Sequence, residues 1–250
     1  FLLRIEDIDG ARCLPVFRDA IFQDLAWLGL DWDGEVRIQS EHLDEYRGLL
    51  GDLEERGLVY PCFCTRGEIA REIAAAGAAP HAPDAPDAPD ASVRYPGTCR
   101  SLTEEATGAR KAAGAPYALR LDMAKAAALA GPLAFTERGV RRPCGPAAFG
   151  DVVLGRKDAP ASYHLAVSHD DALQGVTLVT RGVDLLAATA VHRLLQALFG
   201  WPEPAYAHHP LLTDATGRRL AKRDRAKSLR SLRAAGHSPA AVRAMAGVPD

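Results

Sequence analysis

The sequence predicts an α/β protein, a sheet domain with packed helices and a second lobe inserted between its two halves. Three observations carry this. Helical and strand-like segments alternate along the chain. The opening FLLRIEDIDGAR is an apolar strand that delivers Glu6, Asp7 and Asp9 to a sheet edge, where α/β proteins keep their sites. An Ala-Pro-Asp repeat at 78–91 then breaks the alternation, and such a segment has too little apolar surface to pack, which marks a flexible insertion.

The elements follow in order. Val16 to Leu30 spaces Phe17, Ile21, Leu25 and Leu28 as one helical face and stops at a Gly-containing turn. Ser40 to Gly57 is a second helix with Leu43, Tyr46, Leu50 and Leu53 on one face and Gly57 just past its end. A tight Cys pair and a short helix come next, and after the repeat Ser101 and Glu104 read as a capping box opening another helix. Strand-like segments are expected at Tyr117–Leu121, Pro132–Thr136, Val152–Leu154 and Val176–Thr180. Ala187–Phe199 is a strongly amphipathic helix closed by Gly200, and two short helices follow Lys227.

Composition sets the class. The 250 residues can bury a substantial core, and 48% apolar with 25% charged residues is ordinary for a globular protein. A formal charge of −2 announces no overall basic field, although a local basic patch would still serve nucleic acid. No apolar run is long enough to span a bilayer and no signal peptide is visible. Five cysteines without a regular framework argue against a disulfide-built secreted scaffold, so a cytoplasmic enzyme is expected, with no membrane partner.

Three clusters carry chemistry. Cys62-x-Cys64 and, after a long gap, Cys99 would make three corners of a tetrahedral zinc site. No Cys or His at a standard spacing supplies the fourth. His81 lies in the repeat, and Tyr95, four residues before Cys99, could offer a phenolate. On spacing alone, zinc and a set of small buried thiols are equal readings, while Cys13 and Cys144 are lone core thiols. The second cluster, GRRLAKRDRAKSL at Gly217–Leu229, suits polyphosphate or a nucleic-acid backbone, although a solvated charged loop is the commoner fate of a basic run. The third is SYHLAVSHDD at Ser162–Asp171 with GVTLVTRGVDLL at Gly175–Leu186. It brings a Tyr, a His and an Arg to a sheet edge, with Arg181 the best candidate for gripping a carboxylate and a structural ion pair the alternative.

Taken together, RIEDID, YHLAVSHDD, VTRGVDLL and RRLAKR stand in the order and rough spacing of the class I glutamyl-tRNA synthetases, and the last resembles that family's KMSKS-type loop. The chain resembles the family's shortened form. The stretch after the basic run has no room for an anticodon-binding domain, the C-x-C…Y-x-x-x-C arrangement is similar to that group's zinc site, and Val167 and Val183 stand where full-length members usually carry Asn and Glu.

The resemblance implies a Rossmann-type class I aminoacyl-tRNA synthetase catalytic domain with an inserted zinc-containing α+β lobe. The first half of the catalytic domain would occupy 1–60, the lobe 61–145, and the second half, with the KMSKS-like loop and short helices, 146–250. It implies ATP-dependent activation of L-glutamate, with Mg2+ accompanying ATP, and transfer to queuosine in the anticodon loop of tRNA(Asp), by a cytoplasmic monomer. Glu6 would meet the α-ammonium of glutamate, Tyr163 and Arg181 its side-chain carboxylate, and Lys222 the ATP phosphates as the catalytic cation. Cys62, Cys64, Tyr95 and Cys99 would hold one structural zinc. Asp7, Asp9, Asp184 and His164 would support the site. Ala221 and Arg223 depart from the loop pattern around Lys222. A truncated discriminating glutamyl-tRNA synthetase and an inactive paralogue binding tRNA or glutamate are the alternatives. The family's HIGH-type helix, the other half of its ATP site, would precede Phe1, and no stretch of 1–250 matches it. The chain as given is therefore expected to fold poorly and to activate glutamate feebly.

Overall fold

The apolar opening stretch forms only a two-residue strand, β1 (Arg4–Ile5), which runs parallel to β2 (Arg37–Ile38). Ile5 is buried, whereas Phe1 and Leu2 are exposed. The computed structural model describes residues 1–10, 12–75, 94–213, 220 and 228–248. The repeat at 78–91, Lys222 and the rest of the Arg218–Lys227 run except Leu220 lie outside the described residues.

Two compact units divide the chain, one made of Phe1–Glu41 and Pro210–Asp250, the other of His42–His209. In the first, Asp7, two residues after β1, accepts both the backbone N–H and the hydroxyl of Ser40, each at 2.8 Å, which fixes the 3-10 turn Gln39–Glu41 following β2. Helix α1 (Pro15–Leu28) begins on a proline, whose missing N–H costs nothing in a first turn. Among the described residues its expected apolar face is only partly covered: no residue of α1 is buried, Leu25 and Leu28 are half-buried, and Phe17 and Ile21 are 53% and 41% exposed. Within this unit Arg233 and Arg243 reach α1 at the carbonyl oxygens of Gln23 and Leu28.

The second unit holds the core. Helix α2 (Leu43–Glu55) buries Tyr46, Leu50 and Leu53, the face the spacing predicts. Strand β3 (Val59–Cys62) leads to α3 (Arg66–Ala75). After the 3-10 turn Thr98–Ser101, helix α4 (Glu104–Ala112) is capped by Thr103, whose hydroxyl accepts the N–H of Ala106 at 3.1 Å. This corrects the expected cap at Ser101, whose hydroxyl is spent on the Thr98 carbonyl inside the turn. Then come β4 (Ala118–Leu121), α5 (Met123–Ala130), β5 (Leu133–Glu137), β6 (Val140–Cys144) and β7 (Val153–Gly155). Helix α6 (Tyr163–Leu173), β8 (Leu178–Gly182), α7 (Thr189–Phe199) and β9 (Ala205–His209) complete the unit. In the first unit the chain ends with α8 (Leu229–Ala234) and α9 (Pro239–Met245).

Strands β3, β4 and β7 form an antiparallel sheet in that order, with Cys62 opposite Ala118. A mixed sheet has the order β6-β5-β9-β8. Its β8–α7–β9 passage is a parallel crossover that sets Arg181 opposite His208. Helix α7 covers it through Val191, Leu194 and Leu195, all fully buried and each stabilising by about 2 kcal/mol. Gly200 takes the left-handed backbone (φ 68) that ends α7. Tyr46 of α2 donates its hydroxyl to both oxygens of buried Asp170 on α6, tying two helices 124 residues apart in sequence. Among the described residues no helix is long and apolar enough to cross a membrane.

Candidate functional site

Arg181 stands at the end of β8 with its guanidinium nitrogens spent on three acceptors. Nε donates to Nε2 of His208 at 3.0 Å, one N–H of Nη1 to Nδ1 of His192 at 2.8 Å, and one N–H of Nη2 to the hydroxyl of Thr189 at 2.6 Å. The Tyr206 ring lies 5.3 Å from its carbon. No carboxylate pairs with Arg181 among the described residues. The sequence-based alternative, a structural ion pair, is therefore not what the strand end holds.

The bonding fixes the proton positions around it. A guanidinium only donates, so His208 Nε2 and His192 Nδ1 must both be bare acceptors and both rings neutral. The N–H of His208 then lies on Nδ1 and meets Glu137 at 2.7 Å, while the Glu137 carboxylate also accepts the His208 backbone N–H at 3.0 Å. The N–H of His192 lies on Nε2 and meets Nδ1 of His164 at 3.0 Å. Burial, and after it the Arg181 charge, pushes His164 down to about 4. Burial and the neighbouring cation hold His192 and His208 down as well. Glu137 stays below the ordinary carboxylate range against the opposing effect of burial, because His208 supplies two hydrogen bonds.

Glu137 is placed by the tight β5–β6 hairpin, whose turn residues Arg138 and Gly139 both have positive φ (47 and 80). The Arg138 guanidinium holds that turn by donating to the His208 carbonyl. Strand β6 was not legible in VRRPC, because arginines and a proline suit an exposed edge, not a β-propensity pattern.

These neutral histidines make the fold acid-labile. Below the ordinary His value of 6.5 the unfolded chain binds protons that the folded chain refuses, so stability is present above that value and drains away as pH falls toward the folded values. Each such group should cost up to about 1.4 kcal/mol per pH unit in that window. Chemical denaturation of the protein at a series of pH values checks this.

Tyr163 opens α6 directly after its cap Ser162. Its ring lies 5.8 Å from that of His192 and 5.8 Å from that of His164, so Tyr163 and Arg181 share His192 as a neighbour. Tyr163 and His164 also line a cleft of about 770 Å3 together with Arg66, Tyr95, Arg120 and Arg156. Glu6 belongs to the other unit, where it is exposed and accepts from Arg4 at 3.4 Å, and Asp9 there pairs with Arg12 at 3.7 Å. Sequence reasoning missed Thr189, His192, His208 and Glu137. The available signal was the i, i+3 spacing of Thr189 and His192 on the helix that follows the Arg181 strand.

The cysteine cluster is the second constellation. The sulfurs of Cys62, Cys64 and Cys99 lie within 4.8 Å of one another, and all three are free thiols. Cys64 and Cys99 are 3.3 Å apart, too far for a disulfide. The Tyr95 hydroxyl oxygen sits 3.4 Å from Cys62 Sγ and 3.6 Å from Cys64 Sγ, and accepts the Cys99 N–H at 2.8 Å. Gly97, between Tyr95 and Cys99, is left-handed (φ 91), and a Cβ there would meet the Arg100 guanidinium at 2.7 Å.

Tetrahedral zinc with bonds of ~2.3 Å sets its ligand atoms ~3.8 Å apart, so the four donors fit such an ion with small adjustments. Burial pushes the Cys64 thiol up to about 12 and raises Tyr95 further. Cys99 is lowered despite its burial, by the backbone of Phe63 and the Tyr95 hydroxyl. A cation among these donors would displace protons from Cys64 and Tyr95. The Arg120 guanidinium stacks 3.9 Å from the Tyr95 ring centre, and Lys157 fixes the Cys64 loop by donating to the carbonyls of Phe63 and Cys64 at 2.8 and 3.0 Å.

Comparison with known proteins shows the family. The family model "tRNA synthetases class I (E and Q), catalytic domain" matches residues 1–247. The Glutamyl-Q tRNA(Asp) synthetase of Rhodobacter capsulatus is 47% identical, over 99% of this chain and 88% of that protein. Its namesake from Symbiobacterium thermophilum is 42% identical, over 97% and 73%. The Glutamate--tRNA ligase of Aquifex aeolicus is 35% identical, over 97% of this chain and 48% of the ligase. A crystal structure of a glutamate tRNA ligase from Elizabethkingia meningosepticum, in complex with its amino acid, superposes with a TM-score of 0.68 at 28% identity, covering 90% of this chain and 45% of that one. The chain thus spans less than half of that solved ligase. A match along 247 residues, with four ordered motifs and an Arg181 free of any carboxylate partner among the described residues, leads to one conclusion: the chain belongs to the catalytic-domain family of the class I (E and Q) tRNA synthetases.

Proposed function

We propose that this chain activates L-glutamate with ATP and transfers the glutamyl group to queuosine in the anticodon loop of tRNA(Asp). The observation that carries the amino-acid part is Arg181. A half-buried guanidinium bonded only to neutral acceptors keeps its full charge for an anionic ligand, and one N–H on each of Nη1 and Nη2 remains for a carboxylate. The acceptor part is supported by the names of the relatives that the chain matches over most of their length.

In this reading Arg181 and Tyr163 hold the side-chain carboxylate and Glu6 accepts from the α-ammonium. The α-carboxylate attacks the α-phosphorus of Mg2+-bound ATP and displaces pyrophosphate. A hydroxyl of the queuosine cyclopentene ring then attacks the activated carbonyl, losing its proton, and AMP leaves. Both steps depend on positioning and on donors aimed at developing charge, where Lys222 would stabilise the departing pyrophosphate. Cys62, Cys64, Tyr95 and Cys99 would hold one structural zinc that pins the inserted lobe and takes no part in the chemistry. The working unit would be a monomer.

Acceptor assays test the reading. Labelled glutamate should be incorporated into queuosine-containing tRNA(Asp) and into its isolated anticodon stem-loop, and not into the unmodified forms. Charging of the 3′ end of tRNA(Glu) would identify a truncated glutamyl-tRNA synthetase instead, and absence of glutamate-dependent pyrophosphate exchange even with a HIGH-type helix supplied ahead of Phe1 would identify a binding paralogue.

A further inference from the structure

The residues around Arg181 divide into those that would touch substrate and those that touch only the guanidinium. Three atoms of the second kind hold it: His192 Nδ1, His208 Nε2 and Thr189 Oγ1. Thr189 and His192 are buried on α7, and His208 is buried on β9. The nearest carboxylate in this chain of bonds, Glu137, is one residue removed and meets His208, not the arginine. A carboxylate in any of the three positions would hold the guanidinium as firmly but would neutralise it.

We infer that His192, with His208 and Thr189, is a positioning residue for glutamate selectivity: these neutral acceptors aim Arg181 without neutralising it, so that it prefers a carboxylate to the uncharged carboxamide of glutamine. This rests on the reading of Arg181 as the partner of the glutamate side chain. The outer members of the network set its polarity. Glu137 takes the Nδ1 proton of His208, and His164 takes the Nε2 proton of His192, so each ring turns its bare nitrogen toward Arg181.

The arrangement has a pH signature. A protonated His192 or His208 donates from both nitrogens and can no longer accept from Arg181, so acid turns two of the three holds into repulsive contacts. The groups facing His192 are Tyr163 and His164 from α6, Arg181 from β8 and His208 from β9. His208 faces Glu137 from β5, Arg181 from β8, Thr189 from α7 and its neighbour His209, and its carbonyl accepts from Arg138. Of these groups Glu137 alone favours protonation, and it touches only His208.

The test measures KM and kcat for glutamate and glutamine in pyrophosphate exchange by the native full-length protein, with glutamate affinity by calorimetry. In His192→Leu the glutamate KM should rise about tenfold or more with kcat little changed, and the preference over glutamine should fall by a similar factor. His192→Asn, which places an oxygen near the Nδ1 position, should restore most of the affinity. In the wild type the glutamate KM should stay level between about pH 7 and about pH 5.5, because the folded protein keeps both rings neutral there, and a climb in that window that His192→Asn removes would contradict the neutral hold. Thr189→Val, nearly isosteric, should give a smaller shift of the same sense and decides the matter if His192→Leu does not fold. Unchanged KM and selectivity in folded His192→Leu, or in Thr189→Val in its place, would overturn the positioning role, provided that Arg181→Leu has lost glutamate. If Arg181→Leu retains glutamate, the reading of the site itself fails.

Discussion

In protein that carries a HIGH-type helix ahead of Phe1, replacing Arg181 with Leu should abolish glutamate-dependent pyrophosphate exchange while the protein still folds. Two charge-assisted hydrogen bonds to a carboxylate in a partly desolvated site are together worth about 3 kcal/mol or more, which is at least a hundredfold in kcat/KM. The same change strands three acceptors, His192 Nδ1, His208 Nε2 and Thr189 Oγ1, so a loss of about 1–3 kcal/mol in stability should accompany it. Arg181→Lys separates the two effects. It keeps the charge, but a single ammonium cannot hold three acceptors in a plane and present a fork as well. It should therefore remain poorly active. Measuring exchange beside denaturant unfolding for both variants checks the pair. Wild-type glutamate affinity in Arg181→Leu would assign the carboxylate to another cation.

The second large effect is expected at the cysteine cluster. Purified protein should carry about one zinc per chain, and Cys99→Ser should lose it. Cys99 lies in the 3-10 turn Thr98–Ser101, Cys62 ends β3 and Cys64 follows two residues on, so an ion there would tie a sheet strand to a turn far along the chain. Loss of that tie should remove about 4 kcal/mol and lower Tm by roughly 10 °C. Strong chelators should do the same to the wild type and nothing further to Cys99→Ser. Tyr95→Phe keeps the ring under Arg120 and removes only the oxygen, so it should weaken zinc retention without abolishing it. Elemental analysis after dialysis reads all three. Wild-type protein that is fully folded and free of metal would dismiss the ion and leave a cluster of buried thiols.

What the sequence disclosed and withheld follows from the range of the forces involved. Helices α2 and α7 were legible because their apolar spacing is local and a glycine follows each end, Gly57 and Gly200. Arg181, Tyr163 and the C-x-C…Y-x-x-x-C set were legible because each sits in a short motif. Edge strand β6 was not, since its solvent-facing arginines and Pro143 carry no strand pattern. Nor was the α1 surface, where the helical period is clear but nothing in the period says what covers it. The partners of Arg181 stayed hidden for a different reason. A helical histidine such as His192, in the first turn of α7, looks like any buried polar residue until the crossover brings β8 beside β9. Register then decides the matter, for in a parallel ladder a slip of one residue would turn Arg181 away from His208.

The short crossover also bears on how the protein reaches its native state. The bonds from Arg181 to Thr189, His192 and His208 span 8, 11 and 27 residues, whereas the Tyr46–Asp170 tie spans 124. Closing short loops costs less chain entropy, and contacts of low sequence separation form sooner. The stretch from β8 to β9 can therefore assemble its arginine and all three acceptors as a single nucleus, early and largely independent of the distant pairings. The longer ties, Glu137 to His208 across 71 residues among them, would then set the proton positions that finish aiming the cation.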